Sequence, residues 1–207
     1  MYGNKVFVGL DLGKTRDPSA IAVVEREEPR LAWMPSMPRR MEIRYLQRIP
    51  LGTPYTKVVE RVCQIVRHQK LYARCRLVVD ATGVGAPVVD LLKAARLDCP
   101  LTPVTIISGD RAHSYGENWH VPKTDLLTNL LVMLETGELT IPRRLGEAAA
   151  LVRELSEVEV RHRPGGALRM GADGAGEHDD LVIAVALACW RASRKENSYG
   201  TQRLPGT

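Results

Sequence analysis

Four aspartates stand where apolar segments of the sequence begin or end. Asp11 ends the segment VFVGLD, Asp80 ends LVVD, and Asp179 with Asp180 opens the apolar run LVIAVALA. A strand that is buried on both faces should not end in an isolated carboxylate, because an unpaired buried charge is costly. These acids therefore predict one cluster of carboxylates, which is a ligand set that hard divalent cations prefer.

A carboxylate cluster of this kind suits the hydrolysis of a phosphodiester. Two Mg²⁺ or Mn²⁺ ions about 3.5–4 Å apart can activate a water molecule and stabilise the leaving oxygen. The ligands must hold the ions without enclosing them, because the substrate phosphate completes the coordination. We expect Asp11 to bridge both ions and Asp80 to approach from a neighbouring strand. On the last helix either Asp179 or Asp180 is the main ligand, and the sequence does not rank the two.

Each of these aspartates also has a structural interpretation. Asp80 precedes Thr-Gly and could simply start a turn, while Asp179 could serve only as a helix N-cap. Asp11 has no comparable explanation, because GLDLG is not a standard turn sequence. The structural interpretation weakens if the three positions meet in space.

Three other residues are candidates for a supporting role. Asp17 faces Asp11 across the first predicted hairpin, and it either contacts a metal through water or organises the Asp-Pro turn, which we favour. Lys123 follows Pro122 at a helix start, where the helix dipole disfavours a cation, so it could contact phosphate or neutralise the acids. His178 could assist the metal or the leaving group, or be an ordinary polar residue.

The pattern of apolar residues predicts alternating strands and helices that would position these groups. An opening hairpin and a helix–strand–helix–strand middle favour an α/β fold with a central mixed sheet and helices on both faces. We predict strands at 5–11, 19–25, 30–34 or 42–49, 77–80, 102–107 and 139–142, and helices at 54–71, 87–96, 123–136, 145–155 and 179–193. A β-hairpin is predicted within 157–172. Residues 1–193 would form one domain, and 194–207 a loose tail.

The composition is that of a globular protein with a modest positive charge. The chain has 207 residues, 44% hydrophobic and 26% charged, and a formal net charge of +5, which permits a polyanionic partner. Its four cysteines form no CxxC motif, so we do not expect a zinc site. We expect reduced thiols in a cytoplasm. The longest apolar run is too short to span a membrane, and no export signal is apparent.

An arginine-rich segment, VRHRPGGALRM, is the candidate for contact with nucleic acid. Arg161, Arg163 and Arg169 lie on the predicted 157–172 hairpin, and guanidinium groups suit phosphate oxygens. Such contacts would bind without reading sequence and would weaken with salt. Trp119 and Tyr115 could stack on DNA, although aromatic side chains more often pack in a core or at its rim.

The segment GLDLGKT superficially resembles a phosphate-binding loop. The motif requires four residues between its glycines and this sequence has three. A phosphate loop must also lead into a helix, whereas Asp17-Pro18 and a predicted strand follow here. We therefore do not expect nucleotide binding at this loop.

Several segments together resemble the nuclease domain of phage large terminases. GLDLG with RDPSAIAVV resembles its first strands, and VVDATGVGAPVVDLL its second acidic strand and glycine turn. ENWHVPKTDLLTNLLVMLETGELTIP resembles its lysine-led helix and short strand, and GAGEHDDLVIAVALA its last helix. The segments keep the family's order over roughly residues 5 to 192. Many terminases have Glu where this chain has Asp80, which is chemically equivalent.

The resemblance implies an RNase H-like fold and a metal-dependent endonuclease that cuts double-stranded DNA during viral genome packaging in the host cytoplasm. A terminase ATPase domain, a small terminase subunit and a portal would then be partners. Three alternatives stay open. They are another RNase H-like nuclease, such as a Holliday-junction resolvase or an RNA-strand nuclease, a non-catalytic DNA-binding module of a packaging motor, and an actin-like phosphotransferase.

Overall fold

The structure, a computed structural model, describes residues 4–13, 17–27, 40–69, 71, 74–83, 85–162, 168–171 and 179–194. Its strands are β1 (Lys5–Asp11), β2 (Ser19–Arg26), β3 (Met41–Ile49), β4 (Cys75–Asp80), β5 (Leu101–Ile107), β6 (His113–Tyr115), β7 (Asn118–Pro122), β8 (Leu139–Thr140), β9 (Glu159–His162) and β10 (Leu168–Gly171). Its helices are α1 (Tyr55–Val66), α2 (Gly85–Ala94), α3 (Lys123–Glu135), α4 (Ala148–Glu157) and α5 (Asp180–Ser193).

A mixed sheet of eight strands forms the centre of the fold, in the order β6-β7-β5-β4-β1-β2-β3-β8. Strands β1, β2 and β3 pair in antiparallel fashion. On the other side of β1, strands β4, β5 and β7 all run parallel to it. The carboxyl ends of β1 and β4 therefore meet at one edge of the sheet, as the predicted parallel pairing requires.

Helices cover both faces of this sheet, so the predicted α/β arrangement is confirmed. One hydrophobic core lies between the sheet and α3, α4 and α5, and the other between the sheet and α1 and α2. Alternate residues of β1 contribute to opposite cores: Phe7 packs toward α5, whereas Val8 packs toward α1 and α2. This two-sided burial explains why the first strand is apolar throughout.

Helix α5 lies directly on the sheet and is buried on all sides. Every residue from Asp180 to Trp190 is buried, which is why its sequence lacks an amphipathic pattern. Gly9 of β1 permits this close packing, since a Cβ there would lie 1.9 Å from the carbonyl oxygen of Ala184. The absence of a side chain at Gly9 thus lets the backbones of β1 and α5 lie close together.

From Asp17 onward, the chain after β1 leads into a strand. It enters β2 at Ser19, which pairs antiparallel to β1, so no helix N-terminus follows the GLDLGKT segment. The Gly13 amide instead donates a hydrogen bond to the Ser19 hydroxyl at 3.1 Å. The prediction that a strand follows this segment is confirmed.

Several predicted boundaries differ from those observed. Helix α1 ends at Val66 rather than near residue 71, and α2 begins at Gly85, two residues before Pro87. The third strand lies at Met41–Ile49, and the alternative at 30–34 falls outside the described residues. Helix α4 begins at Ala148 rather than at residue 145, because residues 143–147 form turns.

Strands β6 and β7 were not predicted. Their sequence is polar and aromatic, and the β6 side chains are exposed at the outer edge of the sheet, so no apolar alternation marks them. Separately, β9 and β10 form a two-stranded antiparallel sheet within the region 157–172. Residues 195–207 lie outside the described residues. No helix in the described part of the chain is long and apolar enough to cross a membrane.

Candidate active site

The four aspartates come together at the carboxyl edge of the central strands. Asp11 is the last residue of β1 and Asp80 the last residue of β4, and the parallel register pairs their preceding residues, Leu10 with Val79. Helix α5, which packs on β1 and β4, begins at Asp180, with Asp179 immediately before it. Three separate elements thus converge on one carboxylate site.

The charges of the three other aspartates act on the carboxyl group of Asp11. Asp11 is almost fully buried, with 9% of its surface exposed. Burial raises the pKa of its carboxyl well above the usual range, and the charges of Asp80, Asp180 and Asp179 raise it further. Lys123 acts in the opposite direction. An ionised Asp11 is therefore unfavourable here unless positive charge is supplied.

Lys123 supplies part of that positive charge. It is the first residue of α3, and its Nζ lies 2.5 Å from Oδ2 of Asp179. Its position at a helix N-terminus is unfavourable for the helix alone. The ion pair explains why a cation occurs there and corresponds to the predicted neutralisation of the acids.

Asp80 organises a turn as well as facing the cluster. Its Oδ1 accepts a hydrogen bond from the Thr82 amide at 2.8 Å, the contact expected of a turn-forming aspartate. The Thr82 hydroxyl in turn accepts a hydrogen bond from the Ile106 amide at 2.8 Å, which ties this turn to β5. The structural and the chemical interpretations of Asp80 are thus compatible, and the turn fixes the direction of its side chain.

Asp179 occupies the N-cap position of α5, but its side chain makes no capping hydrogen bond. The amides of Leu181 and Val182 instead donate to Oε2 of Glu154, at 3.0 and 3.1 Å. Glu154 also forms an ion pair with Arg48 of β3. Arg48 is itself partly buried against Glu154.

Sequence reasoning gave no indication of Glu154. Within α4 it reads as one of several charged residues of an amphipathic helix, and its burial depends on how α4 packs against α5. The one available signal was its spacing: Glu154 lies three residues after Leu151, on the apolar face of α4.

The donor set fits a hard divalent cation. The four side chains offer only oxygen ligands, and their charge exceeds that of Lys123. Within the described part of the chain, however, no three acidic, histidine or cysteine side chains are already arranged around one ion. One carboxylate oxygen of Asp179 accepts a hydrogen bond from Lys123, and one of Asp80 accepts a hydrogen bond from the Thr82 amide. Two of the four carboxylates thus have one oxygen bound to a protein group.

The supporting candidates have different positions. Asp17 is exposed in the connection between β1 and β2. His178 and Arg163 lie outside the described residues. The backbone register pairs Arg161 with Arg169 across β9 and β10.

The aromatic candidates for DNA stacking divide into a packed and an exposed residue. Trp119 contacts Trp190 edge-on, with ring centroids 5.5 Å apart, and the Arg194 guanidinium lies 4.3 Å from the Trp119 ring. Trp119 therefore serves packing, as the more common role of aromatic residues suggested. Tyr115 on β6 is 82% exposed.

Comparison with known proteins gave structural matches only. No protein-family model and no curated protein matches the chain. The large terminase nuclease from thermophilic phage G20c with bound magnesium is similar, with a TM-score of 0.64 and 24% identity over 91% of this chain and 82% of that chain. The large terminase nuclease domain from bacteriophage SPP1 with bound Mn gives a TM-score of 0.56 and 14% identity, covering 91% and 86%.

A mutant nuclease domain of the large terminase subunit of bacterial virus Sf6, with manganese and beta-thujaplicinol, gives a TM-score of 0.66. Its identity is 12%, and the match covers 91% of this chain and 89% of that chain. At these identities the likeness concerns the fold, and it extends over nearly the whole chain in each case. The predicted RNase H-like fold class is confirmed: this chain has the fold of the nuclease domains of large terminases.

Proposed function

We propose that this protein is a metal-dependent endonuclease that cleaves double-stranded DNA during viral genome packaging. The observation that carries the proposal is the convergence of Asp11, Asp80, Asp179 and Asp180 at one sheet edge. Structurally similar terminase nucleases contain bound magnesium or manganese, which supports the same cofactors here.

The proposed roles follow from the position of each carboxylate. Asp11 is the most buried contributor from the strands and would contact both ions, and Asp80 would bind from β4 with the oxygen not fixed by the Thr82 turn. Asp180 and Asp179 would bind from the start of α5. When bound, two Mg²⁺ or Mn²⁺ ions supply an activated water and stabilisation of the leaving oxygen.

Lys123 would balance charge in this site. Its contact with Asp179 compensates one carboxylate, and the ammonium lies where a DNA phosphate approaching the cluster would also be attracted. We assign it to charge neutralisation and phosphate contact. Asp17 is exposed, and we propose that it organises the turn between β1 and β2.

Double-stranded DNA is the proposed substrate because the similar folds are those of terminase nucleases. The β9–β10 hairpin would contact its backbone through Arg161, Arg163 and Arg169, with no sequence preference. A terminase ATPase domain, the small terminase subunit and the portal would be the partners. His178, which precedes Asp179 in the sequence, would assist the metal site or the leaving group.

The test is cleavage of supercoiled and linear plasmid with Mn²⁺, Mg²⁺ or EDTA. Wild type should cut with either metal and not in EDTA. Asp11→Asn and Asp80→Asn should each lower the rate at least about 100-fold, because the loss of a metal ligand removes several kcal/mol of transition-state stabilisation.

Two controls make this test specific. Glu60→Gln replaces an exposed acid of α1 and should leave the rate unchanged. Circular dichroism of each variant checks the fold. Absence of cutting by folded wild type with both metals, or cutting that survives both aspartate substitutions, would refute the nuclease and favour a DNA-binding module.

A further inference from the structure

Glu154 is a buried carboxylate outside the aspartate cluster, and it forms hydrogen bonds and an ion pair with two other elements of the fold, α5 and β3. Only 4% of its surface is exposed. One oxygen accepts hydrogen bonds from the Leu181 and Val182 amides, and the other forms the ion pair with Arg48. A buried charge with this many partners holds its surroundings in one arrangement.

The first amides of a helix have no acceptor within the helix itself. An aspartate at the N-cap usually supplies one, and Asp179 stands at that position in α5. Its carboxylate nevertheless contacts Lys123 and makes no capping bond. Glu154 therefore performs a function that local sequence would assign to Asp179.

Both ends of α5 are held by residues of other elements. At its carboxyl end, Arg26 of β2 donates a hydrogen bond to the carbonyl oxygen of Ala192. An acid at the amino end and a base at the carboxyl end match the helix dipole. Since its own first residues are not needed for capping, they are available for other chemistry.

We propose that Glu154, held by Arg48, is a positioning residue of the metal site: it caps α5 in place of Asp179, so that Asp179 and Asp180 stay directed toward Asp11 and Asp80. The inference rests on the proposed function, and it adds a role for two residues outside the carboxylate cluster. The Arg48 charge balances that of Glu154, so capping adds no net negative charge next to the site.

Three variants test the proposal. Glu154→Ala removes the cap, and the double variant Glu154→Gln with Arg48→Met keeps a neutral acceptor oxygen without leaving a buried charge. Leu151→Ala is the matched control, because Leu151 is fully buried on the same helix but its apolar side chain can accept no hydrogen bond from the α5 amides. It should lower stability without removing the cap.

Two readouts separate capping from catalysis. Hydrogen exchange of the Leu181 and Val182 amides, followed by nuclear magnetic resonance, reports the cap without any metal. Calorimetric titration with Mn²⁺ reports the arrangement of the aspartates without any DNA. Both measurements are made well below the midpoint of thermal unfolding of each variant.

The proposal predicts faster exchange of both amides and a Mn²⁺ dissociation constant about 10–100-fold higher in Glu154→Ala, the usual effect of losing a residue that orients metal ligands. The double variant should restore both properties to within about 3-fold, and Leu151→Ala should keep the wild-type dissociation constant. Should Glu154→Ala not fold, Glu154→Leu with Arg48→Met takes its place. It removes both buried charges together with the acceptor oxygen, so the loss of the cap is what distinguishes it from the double variant.

Equal losses of Mn²⁺ affinity in Glu154→Ala and Leu151→Ala would overturn the positioning role, since both would then act through stability alone. Faster amide exchange with unchanged Mn²⁺ affinity would reduce Glu154 to a structural cap and would also overturn it. A wild-type protein that binds no Mn²⁺ while its Leu181 and Val182 amides are protected would instead show that the proposed function itself fails.

Discussion

Helices α3 and α5 begin side by side at the same site with opposite charges. Helix α3 starts with Lys123 after Pro122, and no side chain caps it. Helix α5 starts with Asp179 and Asp180, and a residue of α4 caps it. The helix dipole favours the acids and disfavours the lysine. The lysine start of α3 is thus explained by the site, through its ion pair with Asp179, and not by the helix.

This difference shows that a residue at a helix start can have two separate roles, one in capping the helix and one in the carboxylate site. In α5 the two duties are divided, because Glu154 satisfies the amides while the aspartates face the other acids. In α3 the site requirement overrides the helix preference. The first predictions below concern the two helices, and the later ones concern the hairpin arginines and Asp11.

The largest effect is expected from displacing the start of α5 as a whole. In Gly9→Ala the new Cβ would lie 1.9 Å from the Ala184 carbonyl oxygen and 3.1 Å from the Ala188 nitrogen. Because backbone of both β1 and α5 must shift, we expect a loss of about 3 kcal/mol or more in unfolding free energy. Denaturant titration measures this loss.

Gly146→Ala is the control for that substitution, since a Cβ at Gly146 meets no atom within 4 Å. Its unfolding free energy should stay within about 1 kcal/mol of wild type. A Gly9→Ala variant as stable as Gly146→Ala would contradict the close packing of α5 on β1.

A smaller change in stability is expected from a substitution at the start of α3, and its sign distinguishes two explanations of Lys123. The helix dipole alone predicts that Lys123→Glu stabilises the protein by about 0.3–1 kcal/mol. The carboxylate cluster predicts that in EDTA the same substitution destabilises the protein by about 1–2 kcal/mol. A fifth carboxylate would then lie beside the four aspartates, and the ion pair between Lys123 and Asp179 would be lost. Thermal unfolding in EDTA decides between the two signs.

Ala149→Glu in the first turn of α4 is the matched substitution away from the site. Ala149 is exposed, and the first turn of α4 contains no acid, so the helix dipole and an i,i+4 pair with Arg153 should both favour the new acid. We expect a small stabilisation of about 0.3–1 kcal/mol. Stabilisation by both substitutions would mean that Lys123 does not serve the carboxylate cluster.

The hairpin arginines should affect DNA affinity and leave both helix starts unchanged. Replacing Arg161, Arg163 and Arg169 by alanine should weaken binding of linear DNA. It should also reduce the slope of log affinity against log salt by about 0.9 for each DNA phosphate that the hairpin no longer neutralises. Fluorescence anisotropy at several salt concentrations measures the slope.

Two exposed lysines provide the comparison for the arginines. Lys57→Ala with Lys93→Ala removes positive charge from surface ion pairs. This control should leave the slope within about 0.5 of wild type. An unchanged slope in the arginine variant would exclude the hairpin as the DNA-binding element.

The sequence predicted the parts of the fold that repeat an apolar pattern. The first hairpin, β4, α3 and α5 were located within a few residues, because their apolar runs and proline or glycine boundaries are local signals. Strands β6 and β7 carry exposed polar and aromatic residues, and their pairing depends on β5, so no local pattern revealed them.

The candidate site divides in the same way. Asp11, Asp80, Asp179 and Asp180 were visible because each interrupts the apolar edge of a buried element. Glu154 and Arg48 were not, because their partners are more than 25 residues away along the chain, and only the packing of α4 and β3 around α5 brings them together.

The raised pKa of Asp11 adds one pH-dependent contribution to stability. Because that pKa is raised in the folded state, the native protein holds a proton that the unfolded chain releases above a pH of about 4. In EDTA, wild-type stability should therefore fall as the pH rises from that point toward the raised pKa. Asp11→Asn removes this group and should make the protein more stable than wild type at neutral pH in EDTA.

The most direct test of the metal site is thermal unfolding of wild type and Asp11→Asn at neutral pH, in EDTA and in Mn²⁺. In EDTA, Asp11→Asn should unfold at the higher temperature. At Mn²⁺ about 100 times its dissociation constant, wild type should gain about 5–10 °C and the variant much less, so that the order reverses. Equal shifts in both proteins, or none in wild type, would contradict a metal site built on Asp11.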